Sequence, residues 1–132
     1  EDNGGSGFVT VDDCRFEDLG GTAIKGLNTA AAVPKNWKIR NNYFWRCTNA
    51  IGMSAIQALI QWNNFNQAAD NANFKVNLVA VAGQGSLNMV LDNQFSDATA
   101  NVTIAKGYKP GTTDVWRNWV TDSAAMIVTV PA

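Results

Sequence analysis

Short apolar runs along this chain alternate with polar residues, break at one polar position, and then resume. The pattern is clear from Val9 to Ile24 (VTVDDCRFEDLGGTAI) and from Trp37 to Ile51 (WKIRNNYFWRCTNAI). It returns from Leu59 to Ala72 (LIQWNNFNQAADNA) and from Met89 to Val102 (MVLDNQFSDATANV). When the four segments are anchored on Phe16, Phe44, Phe65 and Phe95, a β-branched residue stands five places earlier: Val11, Ile39, Ile60 and Val90. Two places before each phenylalanine stands Cys14, Asn42, Asn63 or Asn93, and three places after it a small or apolar residue, Leu19, Cys47, Ala68 or Ala98. No helical period of 3.6 fits these positions, whereas a period of two on either side of a corner does. The phenylalanines are 28, 21 and 30 residues apart, and a repeat of that length made only of short strands and corners predicts a solenoid.

The polar break calls for its own explanation. Asparagine tolerates the left-handed backbone region better than most non-glycine residues, and a tight bend between two strands needs such a residue. Asn42, Asn63 and Asn93 are therefore assigned to the bend. Stacked at the strand spacing of about 4.8 Å, they are expected to hydrogen-bond to one another as a ladder. Cys14 is the departing first member of that column.

The predicted fold is all-β: a β-solenoid of about four rungs over residues 1–106, continuing a longer upstream solenoid, followed by a C-terminal cap over residues 107–132. Val11, Ile39, Ile60 and Val90 form one inward column and the phenylalanines another, with Trp37 aligned to Val9 in the core. Pro34 discourages a strand in the connection 25–36, an extra strand is expected around Val79, and Gly107–Asp114 is a turn-rich break. The cap is expected to hold Trp116, Trp119 and a strand from Met126 to Val130. The rival architecture is a β-sandwich or jelly roll, which short strands with glycine and asparagine turns also suit.

Composition narrows the possible functions. Of 132 residues, 46% are hydrophobic and 16% charged, as in a compact domain. Ten Lys and Arg against eleven Asp and Glu give no electrostatic reason to expect nucleic acid or an anionic membrane as partner. No apolar run approaches the roughly 20 residues of a membrane helix, so membrane insertion is not expected. Histidine is absent, which removes His-based triads and disfavours zinc, and no metal or other cofactor is called for. Cys14 and Cys47 fall in different columns and are read as buried free thiols. The start at Glu1, with EDNGGSG too short to cap a solenoid, reads as a piece of something longer.

The strings KIRNNYF, IQWNNF and VLDNQF resemble the rungs of right-handed parallel β-helix proteins of the pectate-lyase-like superfamily. Within that group the chain most resembles bacteriophage tailspikes and tail-fibre depolymerases. The ending TDVWRNWVTDSAAMIVTVPA is similar to the finish of some tailspike chains. The resemblance implies that the solenoid is a right-handed parallel β-helix. It also implies a homotrimer on a virion tail, outside the cell, that recognises and degrades a bacterial surface polysaccharide. Two alternatives are a non-enzymatic structural or trimerisation module of such a spike, and a fragment of a secreted bacterial polysaccharide lyase or hydrolase.

The outward columns carry candidate chemistry. Three places before each phenylalanine stand Asp13, Asn41, Trp62 and Asp92; one place after stand Glu17, Trp45, Asn66 and Ser96; and at the next place Asp18, Arg46, Gln67 and Asp97. Tryptophan faces stack on sugar rings while amides and carboxylates take the hydroxyls. Trp45, Trp62, Arg46 and Asp92 are therefore the glycan-binding candidates. Glycoside hydrolysis needs two carboxyl groups, for which Asp13 and Glu17 are first choices and Asp12 and Asp18 second. A lyase would draw on Arg46 or Lys38. The same carboxylates also suit a solvated face, and Trp45 and Trp62 also suit trimer contacts.

Overall fold

The computed structural model describes residues 7–26, 34–47, 49–53, 56–66, 75–77, 87–96, 102–105, 114–120 and 126–129. They form fifteen short strands, three to a layer. The first layer holds Thr10–Asp12 (β1), Arg15–Glu17 (β2) and Thr22–Gly26 (β3), and the second Lys38–Arg40 (β4), Tyr43–Trp45 (β5) and Asn49–Met53 (β6). The third holds Leu59–Gln61 (β7), Asn64–Asn66 (β8) and Lys75–Asn77 (β9), and the fourth Met89–Leu91 (β10), Gln94–Ser96 (β11) and Val102–Ala105 (β12). The fifth holds Asp114–Trp116 (β13), Trp119–Val120 (β14) and Met126–Thr129 (β15).

Strands at the same place in successive layers pair in parallel, giving three five-stranded sheets ordered β1-β4-β7-β10-β13, β2-β5-β8-β11-β14 and β3-β6-β9-β12-β15. This all-β arrangement has no closed barrel, is consistent with a β-solenoid, and shows neither helix nor antiparallel pairing among the described residues. The antiparallel strands of a jelly roll are thus not found among them. In register, Val11 lies beside Ile39, Ile39 beside Ile60 and Ile60 beside Val90. Phe16, Phe44, Phe65 and Phe95 pair in the same way. Their rings stack at centroid distances of 5.0, 4.8 and 4.6 Å with interplanar angles under 10°. Ile39, Phe44, Ile60, Phe65, Val90 and Phe95 are wholly buried, each removing about 1.5–3 kcal/mol worth of apolar surface from water. Trp37 is buried with them.

The described corners share a single left-handed residue. Between the first and second sheets a strand of three ends in one residue with positive φ, and the next residue turns inward. Phe8, Asn36, Gln57 and Leu87 hold the left-handed position before the first sheet. Asp13, Asn41, Trp62, Asp92 and Arg117 hold it between the first and second sheets, and Asp18 and Arg46 hold it after the second. The left-handed residue is therefore the neighbour of the asparagine assigned to that role from sequence. Asn42, Asn63 and Asn93 do not have positive φ; they follow the bend and are buried. The reason is geometric: one left-handed residue turns the chain and shifts the in-out alternation by one place, so the residue after it faces the core.

Inside the corner the asparagines form a directed ladder. Asn63 Oδ1 accepts from the backbone N–H and the Nδ2 of Asn42, both at 3.0 Å. Asn93 Oδ1 does the same for Asn63 at 2.9 and 3.0 Å, and Asn118 Oδ1 for Asn93 at 2.9 and 2.8 Å. Each Nδ2 also donates to a carbonyl of the preceding layer: Asn42 to Val11, Asn63 to Ile39, Asn93 to Ile60 and Asn118 to Val90, at 2.7–3.0 Å. These buried amides are thereby satisfied, as burial of polar groups requires. Cys14 ends the column. Its N–H donates to Asn42 Oδ1 at 3.0 Å, but it has no amide to add a second bond. A related bond appears at another corner, where Ala58 N–H donates to buried Asn88 Oδ1 at 2.9 Å.

Within the segment read as a cap, β13, β14 and β15 instead extend the three sheets as a fifth layer. Asn118 occupies the ladder column, and Val120 pairs with Phe95 where a phenylalanine would align. The expected strand around Val79 and the break at 107–113 lie outside the described residues. Both cysteines are free, and Cys47 is buried, but Cys14 is exposed. It belongs to the first described layer, which has a neighbouring layer on one side only.

Candidate functional site

The outward face of the second sheet and its leading corner gather the aromatic and amide side chains. In register along that sheet run Arg15, Tyr43, Asn64, Gln94 and Trp119. One corner position away run Asp13, Asn41, Trp62, Asp92 and Arg117. Between these columns lies an open depression of about 310 Å³ lined by Trp62, Asn63, Asn64, Asp92, Gln94 and Trp119. Trp62 belongs to the third layer and Trp119 to the fifth, two strand spacings apart, or roughly 10 Å. The polar pair Asp92 and Gln94 belongs to the layer between them.

Both tryptophans are open to solvent, Trp62 at 55% and Trp119 at 50% exposure. Trp62 has φ of 56°, a region where a bulky residue is an outlier. The bend fixes its backbone and carries its side chain clear of the core. Trp119 stands in the outward column of β14, because its neighbour Val120 takes the phenylalanine register. It lines the depression instead of packing inside a cap, contrary to the sequence expectation.

Asp92 is held on two sides. Arg117 reaches it through Nε to Oδ1 at 2.6 Å and Nη2 to Oδ2 at 2.8 Å, and Gln61 Nε2 donates to Oδ2 at 2.9 Å. The Arg117 hydrogen bonds, followed by that of Gln61, hold its carboxyl down at about 2, with desolvation opposing them. Such a carboxylate stays ionised and accepts hydrogen bonds. Beside it, Asn64 Nδ2 donates to Gln94 Oε1 at 3.5 Å and Ser96 Oγ donates to Asn64 Oδ1 at 3.4 Å.

The remaining candidates lie elsewhere on the surface. Trp45 closes β5 on the far edge of the same sheet face, with the Arg46 guanidinium 5.8 Å from its ring centroid. Arg46 Nε also pairs with Asp18 Oδ1 at 3.0 Å. Asp13 sits at the bend before β2 and Glu17 at the end of β2, so roughly 13 Å of extended backbone separates them. Glu17 is paired with Arg15 from the same strand face, and Arg15 lies 5.1 Å from the Tyr43 ring centroid. Asp12 is engaged by Asn41 Nδ2 at 2.9 Å and by Arg40 Nε and Nη2 at 3.0 and 2.9 Å. The Asn41 bond foremost, then Arg40, lowers its carboxyl below the ordinary range.

The structure thus brings Trp62 and Asp92 into one depression and leaves Trp45 and Arg46 at another edge. Sequence reading missed Asn64, Gln94 and Trp119 as lining residues. The signal for Trp119 was Asn118, which falls in the ladder column immediately before it. Among the described residues no cluster of His, Cys, Asp and Glu could hold a metal ion, and no helix is long and apolar enough to cross a membrane. Neither a known protein family, nor a curated protein, nor a solved structure matches the chain.

Proposed function

We propose that this chain is part of a right-handed parallel β-helix protein of the tailspike kind, carried on a virion tail, that recognises a bacterial surface polysaccharide. The observation that supports the reading is the depression itself: exposed Trp62 and Trp119 with Asp92, Asn64 and Gln94 between them. Flat aromatic faces beside amide and carboxylate acceptors are what a pyranose ring needs from a protein surface. In the parent protein the assembly is a homotrimer, and cleavage of the glycan is the work of the whole spike.

Within this chain the reading is one of binding. Asp12, Glu17, Asp18 and Asp92 are each engaged by an arginine, an arrangement that favours contact and stability over proton transfer. Asp13 with Glu17 stays the pair to substitute if cleavage is found. The test is a tryptophan-fluorescence titration with purified bacterial surface polysaccharides, paired with light scattering for the assembly state. Quenching that disappears in both Trp62→Ala and Trp119→Ala supports recognition at the depression. Polysaccharide binding undiminished in both variants would reject it, and a dilution-stable monomer would reject the trimer.

A further inference from the structure

We infer that the depression between Trp62 and Trp119 selects an uncharged saccharide and binds it without cleaving it. This deepens the glycan-binding reading and rests on it.

The inference follows from how charge is arranged around the depression. Its six lining residues are two tryptophans, three amides and one aspartate, so none of them is cationic. The nearby cation Arg117 lies against Asp92 with two hydrogen bonds, and the pair is close to neutral as a unit. A sugar carboxylate or sulfate entering here would meet no cation among the described lining residues to offset its lost hydration. A neutral ring meets no such penalty. Its hydroxyls can donate to Asp92, whose two oxygens offer about four acceptor directions for the three donors already present. Asn64 and Gln94 supply amides on the same side.

The absence of cleavage follows from the same geometry. Glycoside hydrolysis requires a second carboxyl group across the scissile bond, and Asp92 is the sole carboxylate among the described residues that line the depression. Asp92 also lacks the raised affinity for a proton that a general acid needs; its arginine partner pulls in the opposite direction. The site therefore reads the glycan and does not cut it.

The experiment is a parallel titration of the intact chain with neutral oligosaccharides (gluco-, manno- and galacto-oligomers) and with uronate oligomers of matched length. Tryptophan fluorescence and calorimetry give the affinities, and released reducing ends are assayed. At least one neutral oligomer is expected to bind at least tenfold more tightly than its uronate counterpart. Trp62→Ala or Trp119→Ala should each weaken that binding by up to about tenfold, in proportion to a lost stacking contact. Far-UV circular dichroism verifies that each variant is folded. Uronates binding as tightly as neutral oligomers, with the same loss in the tryptophan variants, would overturn the selectivity while leaving glycan binding at the depression standing. Binding of either class untouched by both substitutions, or no binding at all, would overturn the glycan reading itself. Reducing ends whose release stops in Asp92→Asn would overturn the non-cleaving assignment.

Discussion

The Asn63 side-chain oxygen receives both the main-chain and the side-chain N–H of Asn42, each at 3.0 Å. One acceptor thus closes two donors of the layer before, in a corner where both asparagines are buried. Replacing Asn63 by alanine would orphan those two donors and the Ile39 carbonyl. Unsatisfied buried groups cost about 1–3 kcal/mol each, so Asn63→Ala should lose roughly 3–5 kcal/mol. Denaturant unfolding checks this; a loss under about 1 kcal/mol would mean the ladder is ornamental.

Acid sensitivity should trace to the outer corner. The folded Asp92 carboxyl sits near 2 against an ordinary value of 3.8. Its contribution to stability is therefore complete above about pH 5 and fades as pH falls through the folded value near 2. Asp12 is shifted in the same direction and should add to the same loss. A pH series of melting temperatures should be flatter for Asp92→Asn than for the wild type over that window and parallel to it above pH 5.

Trp62 should separate stability from binding. Its left-handed backbone is unfavourable by about 1–2 kcal/mol for an ordinary residue, while asparagine, which fills the same bend at Asn41, tolerates it. Trp62→Asn is expected to unfold at the same or a higher denaturant concentration, by up to about 1 kcal/mol, while losing saccharide-induced fluorescence change. A marked destabilisation would show that the ring holds the fold together.

The two thiols should differ sharply. Cys14 is exposed and should react with a thiol reagent in the native state. Cys47 is buried, and burial pushes its thiol up from the ordinary value, so it should react only on unfolding. Cys14→Asn would extend the ladder by one amide and should stabilise the chain by about 1 kcal/mol. Equal native reactivity of both thiols would contradict the layer order.

Much of this architecture was legible because the anchors were large and uniform. Four phenylalanines fixed the inward register, and the β-branched column at Val11, Ile39, Ile60 and Val90 confirmed it by spacing alone. The ladder column was readable for the same reason, since a buried amide recurs at one offset. The left-handed positions were not. Asp13, Asn41, Trp62, Asp92 and Arg117 share a backbone state but no chemistry, so residue type pointed to the conspicuous asparagine beside them. The fifth layer escaped notice because Val120 replaces the anchoring phenylalanine, and Trp119 was lost with it as a surface residue. Ion pairs between layers, such as Arg117 with Asp92, depend on which long side chain leans which way, and periodicity carries no such information.

The directed ladder makes the chain editable in whole units. The joints carrying Asn42, Asn63 and Asn93 repeat the same donors, acceptors and ring contacts, so excising residues 42–62 would bring Asn41 directly before Asn63 and leave Val11 beneath Ile39 as before. A gene for such a protein can grow or shrink by about 20–30 codons, one layer at a time, without inventing a new interface. The depression, built from three consecutive layers, would travel intact with any edit that leaves residues 59–119 whole.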